Sequence, residues 1–174
     1  TILMKLGRND DAYSFLKDPQ NYMHGFPIDF MYYKLGMSKL RMLDLSASRD
    51  FEEFIKRFKG QNYLKSSYQK LAWIESLNNN SQGYYSYMAK CRTLGTAFID
   101  EDKAAQSESA EVEMGNRILL RSRLLFDGGY YIKAQQELAG VSVDSFPKYK
   151  DQLEVTYRLA RIYQKTGQEE KAID

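Results

Sequence analysis

The stretch "YRLARIYQKTGQEEKAID", Tyr157 to Asp174, decides the fold. Leu153, Thr156, Ala160 and Tyr163 recur at offsets of 0, 3, 7 and 10, and Leu159 and Ile162 widen the stripe. That spacing predicts an amphipathic helix. Gly167 follows at a C-cap position, where a left-handed backbone is easiest for glycine. Glu169 and Glu170 then suit the first turn of a new helix, because acids there complement its dipole. Ala172 and Ile173 are its first apolar residues. The unit reads as helix, tight turn, second helix.

The same arrangement recurs upstream. "ILLRSRLLFDGGYYIKAQQEL" holds an apolar helix, Gly128-Gly129, then a helix with Ala134 and Leu138. Gly129 precedes Ala134 by five positions, as Gly167 precedes Ala172 and Gly7 precedes Ala12. A small residue at that offset lets two antiparallel helices cross closely. Two further units are degenerate. Leu35-Gly36 sits mid-helix before a second apolar face of Phe51, Phe54, Ile55 and Phe58. Leu71-Ala72 sits likewise before "NNNSQG" and a stripe of Tyr84, Tyr87, Met88 and Cys91. Leu35 to Leu71 is 36 residues and Gly129 to Gly167 is 38, a period expected of a helical solenoid.

These residues resemble the tetratricopeptide repeat. Leu159-Ala160, Tyr163, Gly167 and Ala172 match its pattern throughout. Leu35-Gly36 and Leu71-Ala72 match its first helix, and Gly129 and Ala134 its turn and second helix. Arg121-Ser122 and Leu125 depart from it, and Pro147 is the nearest to its usual closing proline. The wording "YQKLAW", "LLFDGGYY" and "YRLARIYQKTG" is similar to that of bacterial proteins with divergent repeats, often from Bacteroidetes. The resemblance implies an all-α, right-handed solenoid of antiparallel helix pairs. Its expected organisation is a partial repeat at 1–18, divergent repeats at 28–60 and 62–91, an acidic insertion at 92–111, a repeat at 112–140 and a truncated repeat at 150–174.

In such solenoids the first helix of each pair lines the concave face. Positions ten, six and two before the turn glycine point into the groove. Tyr157, Arg161 and Lys165 take these places in the last unit, and Leu119, Arg123 and Asp127 in the one before. The matching frame puts Trp73 and Met37 at the middle position of the earlier units, with Tyr33 and Arg41 beside Met37. A groove lined by Tyr33, Met37, Arg41, Trp73, Arg123, Tyr157, Arg161 and Lys165 would hold a peptide. Arginine offers a fork to carboxylates, and aromatic residues offer apolar anchors. The plainer alternative makes these ordinary helix-surface residues, with Trp73 and Met37 in the core.

Composition narrows the chemistry. The chain has 174 residues, with 25 basic and 23 acidic side chains, so nothing argues for direct nucleic-acid binding. It has 14 Tyr but only 3 Pro, as suits packed helices with short turns. No apolar run approaches the ~18 residues of a membrane span. The only cysteine, Cys91, excludes an internal disulfide framework, and it and the only histidine, His24, make a poor catalytic or zinc set. "DGGYY" lacks the lysine and hydroxyl of a phosphate loop. No catalytic residue, cofactor or metal is expected.

Residues 99–113, "IDEDKAAQSESAEVE", carry six acids against one base. They read as a solvated linker between repeats, a loop with a short helix. The sharper reading is a self-masking or Ca²⁺-binding loop, although the ligand spacing and central glycine of such a loop are missing. The start lacks Met and a signal-peptide order, so the sequence reads as a cut from a longer protein, cytoplasmic or exported, with any signal upstream. Uncapped ends would then favour a homodimer. The expected function is a non-catalytic protein-interaction scaffold that binds a peptide or acidic segment in its groove. The rival is the sensory or adaptor region of a larger bacterial signalling or transcription-regulatory protein.

Overall fold

The computed structural model describes residues 2–18, 21, 28–111 and 113–172. These are helical, with no strand among them. The helices are α1 (Ile2–Lys5), α2 (Asn9–Leu16), α3 (Ile28–Arg41), α4 (Ala47–Arg57), α5 (Leu64–Leu77), α6 (Ser81–Thr93), α7 (Asp100–Ser109), α8 (Arg117–Asp127), α9 (Tyr131–Leu138) and α10 (Tyr149–Lys165). Single 3₁₀ turns cover Val143–Ser145 and Glu169–Ala172. Neighbouring helices pack in pairs, α5 with α6 and α8 with α9 most extensively. His24, Ile173 and Asp174 lie outside the described residues.

The chain forms two compact units. A terminal unit contains Thr1–Asp11, Arg41–Leu43 and Gly115–Asp174, and a central unit contains Ala12–Leu40 and Asp44–Met114.

In the central unit, the small residues of the first helices lie where a second helix arrives. A Cβ on Gly36 would meet the Phe51 ring of α4 at 3.0 Å. Ala72 of α5 is wholly buried in a cluster with Tyr84, Met88 and Cys91 of α6. Tyr33 forms an aromatic core with Phe51 and Phe54 of α4 and with Tyr63, at ring distances of 4.8–5.9 Å. Its hydroxyl shares a 2.8 Å hydrogen bond with the Ser66 hydroxyl of α5.

The acidic stretch differs from the solvated linker expected of it. Residues 100–109 form α7, which packs on both α5 and α6. Asp102 is fully buried, and its carboxylate accepts the backbone N–H groups of Tyr63 (2.6 Å) and Ser66 (2.9 Å). The start of α5 has no side-chain cap of its own, since its N-cap residue is Tyr63, which lacks a short side-chain acceptor and holds a left-handed backbone with φ +65°. Asp102 therefore supplies from another helix the acceptor that an N-cap residue would supply locally. Glu108, two turns on, accepts from Gln69 Nε2 (2.6 Å) and Trp73 Nε1 (2.7 Å) of α5. Lys65 of α5 is buried and donates to the Cys91 and Arg92 carbonyls at 3.0 Å, where the end of α6 favours a cation. Charge read along the sequence suggested solvation, but one face of α7 has its acids matched to donors on α5.

The terminal unit is built around Leu119, Leu125, Ala134, Leu138, Phe146, Val155 and Ile162, contributed by α8, α9, α10 and the segment joining the last two. Ser122 of α8, in the small-residue place, donates to the Ala134 carbonyl of α9 at 3.1 Å, so these helices cross closely. Gly7, Gly129 and Gly167 all have positive φ, at +69°, +85° and +71°. The three glycines that define the repeat are thus turn glycines. Beyond Gly167 the described chain makes a 3₁₀ turn instead of beginning an α-helix.

The turn after α1 lies directly against the turn after α8, with the Gly7 carbonyl on Gly129. Tyr130 Oη donates to Asp10 Oδ1 (2.5 Å) and accepts from the buried Asn9 Nδ2 (3.3 Å), joining residues 121 positions apart in the second case. A plain solenoid stacks each hairpin on the next in sequence. Here the first hairpin's turn meets a much later one.

A candidate interaction face on α10

Helix α10 is apolar on more than one side. Val155 and Ile162 are fully buried against the terminal core, with Leu159 partly buried beside them. The stripe expected to be buried begins at Leu153, yet Leu153 is 52% exposed and Thr156 is also exposed. The packed face is the one through Val155 and Ile162, because those positions meet α8 and α9.

Tyr149, Leu153, Tyr157, Arg161 and Lys165 are spaced by four and follow one ridge that winds partly around α10. Tyr149 is 71% exposed and Tyr157 62%. Three large apolar side chains therefore stand in solvent in a row, followed by two bases. Isolated exposed apolar residues are ordinary, whereas several large ones on one helix ridge make that ridge a candidate contact surface.

Several arginines of this unit are already held by acceptors. Arg121 makes a two-pronged bond to Glu137, with both contacts at 2.7 Å. Arg123 grips Glu154 of α10 through Nε (3.0 Å) and Nη2 (2.7 Å), and Arg158 Nε joins the same carboxylate at 2.8 Å. Arg41 donates to the Met4 carbonyl at 3.2 Å. Arg161 and Lys165 differ. Arg161 Nη1 reaches only the amide oxygen of Gln164 (2.7 Å), and its buried Nε has no acceptor among the described residues. Lys165 is exposed and has no ion pair among them.

Burial pushes the Glu154 carboxyl up, but Arg123 and Arg158 outweigh burial and hold it below its ordinary 4.5. A carboxyl lowered on folding contributes stability above its unfolded value, and that stability disappears as pH falls through the lowered one. Glu154→Gln is expected to destabilise the protein by about 1–3 kcal/mol at pH 7. The difference should shrink as pH falls below 4.5. Urea melts of both proteins from pH 7 to pH 3 check this, and a difference that does not change with pH would count against the ion-pair account.

The eight expected groove residues separate accordingly. Tyr157, Arg161 and Lys165 follow the open ridge of α10. Arg123 is committed to Glu154, and Arg41 lies partly buried against Met4. In the central unit Met37 is half-buried, whereas Tyr33 and Trp73 are interior residues. Trp73 donates its indole N–H to Glu108, and Lys70 Nζ stands 3.8 Å from its ring centroid. Both aromatics are positioned as the plainer alternative placed Trp73, within packing. Tyr149 and Leu153 were missed as surface residues, although their four-residue spacing from Tyr157 was visible in the sequence.

Among the described residues, Cys91, the other candidate for chemistry, is occupied by packing. Burial pushes the Cys91 thiol up to about 11, and its Sγ lies 3.4 Å from the Ala105 carbonyl, so it is protonated at neutral pH. Among the described residues no group of three or more His, Cys, Asp or Glu is placed to hold a metal ion. No helix among them is long and apolar enough to cross a membrane. Compared with family models, curated proteins and solved structures, the chain matches none.

Proposed function

We propose that this chain is a non-catalytic binding scaffold that holds an acidic, amphipathic segment of a partner protein on α10. Its hairpins are read as divergent tetratricopeptide repeats of a right-handed solenoid class, with the turn after α1 set against the turn after α8. The observation that carries the function is the contrast among cations. Arg121, Arg123 and Arg158 have carboxylate partners, while Arg161 and Lys165, at the end of the exposed Tyr149–Leu153–Tyr157 row, have none among the described residues. An arginine and a lysine without carboxylate partners favour an incoming carboxylate, and the row beside them favours apolar side chains.

The test is a fluorescence-anisotropy titration with an acetylated, amidated acidic peptide carrying one central Phe. The wild-type chain should bind it, and more weakly at high salt. Arg161→Glu with Lys165→Glu should weaken binding at least about tenfold while leaving far-UV circular dichroism unchanged. Equal binding by the double variant would remove α10 from the binding site.

A further inference from the structure

A cleft of about 480 Å³ opens in the terminal unit between the start of α9 and the end of α10. It falls within the range of about 300–1,000 Å³ that ligand clefts occupy. Tyr130, Tyr131 and Ile132 line it from one side and Lys165 and Thr166 from the other, with Lys133 also lining it. Ile132 is a large aliphatic side chain left 56% exposed. Gly129 contributes backbone alone at one edge, and no side chain can grow there, because the Gly7 carbonyl oxygen already stands 1.9 Å from where a Cβ would be.

The polar groups of the cleft are of one sign. Thr166 Oγ1 donates to the Ile162 carbonyl (2.9 Å) and accepts from Gln168 Nε2 (2.9 Å), so its hydroxyl is already used. The charged residues among those lining the cleft are Lys133 and Lys165. Neither has a carboxylate partner among the described residues, and Lys133 Nζ lies 5.4 Å from the Tyr130 ring centroid. An apolar cleft with two unneutralised ammonium groups complements a large apolar group flanked by carboxylates.

Lys165 belongs to both features. It is the last member of the open row on α10 and one wall of the cleft. We infer that this cleft receives the apolar anchor side chain of the acidic segment bound along α10, with Lys133 and Lys165 holding the carboxylates on either side of that anchor. The inference rests on the proposed function and adds a sequence preference: acid, large apolar residue, acid.

Amide chemical-shift mapping on the whole chain tests it with two acetylated, amidated acidic peptides, one with a central Phe and one with Ala in its place. The Phe peptide should shift residues 129–133 and 165–166 together with the open row of α10, and should bind at least tenfold more tightly than the Ala peptide. Ile132→Ser, an exposed change, should reduce the Phe peptide to the Ala peptide's affinity and leave the Ala peptide unaffected. Lys133→Glu should weaken both. Shifts confined to α10, or equal affinity of the two peptides, would overturn the anchor cleft and leave the proposed function standing. No shift at either place would overturn both. Phenylpropionate binding as tightly as the Phe peptide would make this a small-anion site and overturn the segment as its occupant.

Discussion

Gly129→Ala is expected to destabilise the protein by about 2–5 kcal/mol, combining left-handed strain of ~1–2 kcal/mol with ~1–3 kcal/mol for forced overpacking. The strain follows from φ +85° at this position. The overpacking follows from the Gly7 carbonyl oxygen, 1.9 Å from the added methyl carbon, with the Gly7 carbonyl carbon at 2.8 Å. Those are backbone atoms, so no side-chain rotation relieves the contact. The two turns must separate, which also disturbs the Tyr130–Asp10 and Asn9–Tyr130 bonds beside them. Gly140→Ala supplies the control. It has φ +76° but nothing within 4 Å of the new atom, so strain alone remains, about 1–2 kcal/mol. Thermal or urea denaturation of the two variants separates the terms. Equal destabilisation would mean that the turns at Gly7 and Gly129 do not touch.

Asp102→Ala is expected to remove about 2–4 kcal/mol, because two backbone N–H groups at the start of α5 lose a charged acceptor. Tyr63 N and Ser66 N have this carboxylate in place of a local cap. Burial pushes the Asp102 carboxyl above its ordinary 3.8, and the two N–H bonds offset only part of that. A carboxyl raised on folding contributes most below its unfolded value and loses that contribution as pH rises through the raised one. The gap between wild type and Asp102→Ala should therefore widen on acidification from neutral pH towards 3.8. Glu154 behaves oppositely, its contribution fading in acid. Melts of the two variants across the same pH series should diverge in sign. Parallel pH profiles would contradict the assigned environments.

Local chemistry made much of the fold legible. Gly7, Gly129 and Gly167 could be recognised as turns because a left-handed backbone selects glycine whatever surrounds it. Ala12 and Ala134, five positions after turn glycines, could be recognised as close packing points because helix crossing excludes bulk, and both are buried. The candidate face was legible at Tyr157, Arg161 and Lys165, which one helix presents by its own periodicity. It was not legible at Tyr33 and Trp73. Periodicity says which residues share a side of a helix, but not which neighbouring helix covers that side. Tyr33 is covered by the rings of α4 and Tyr63, and Trp73 is bonded by Glu108, 35 positions later.

The sequence by itself determined most of the helices, the glycine turns and the basic end of α10. All of these depend on interactions within a few residues of one another. Only the tertiary structure decided that the acidic stretch is a packed helix capping α5, that the turn at Gly7 rests on Gly129, and that Arg123 is spent on Glu154 while Arg161 is not. Those outcomes depend on which donors and acceptors meet across the fold. A carboxylate is equally acidic in the sequence whether solvent or a buried N–H receives it, and only the packing distinguishes the two.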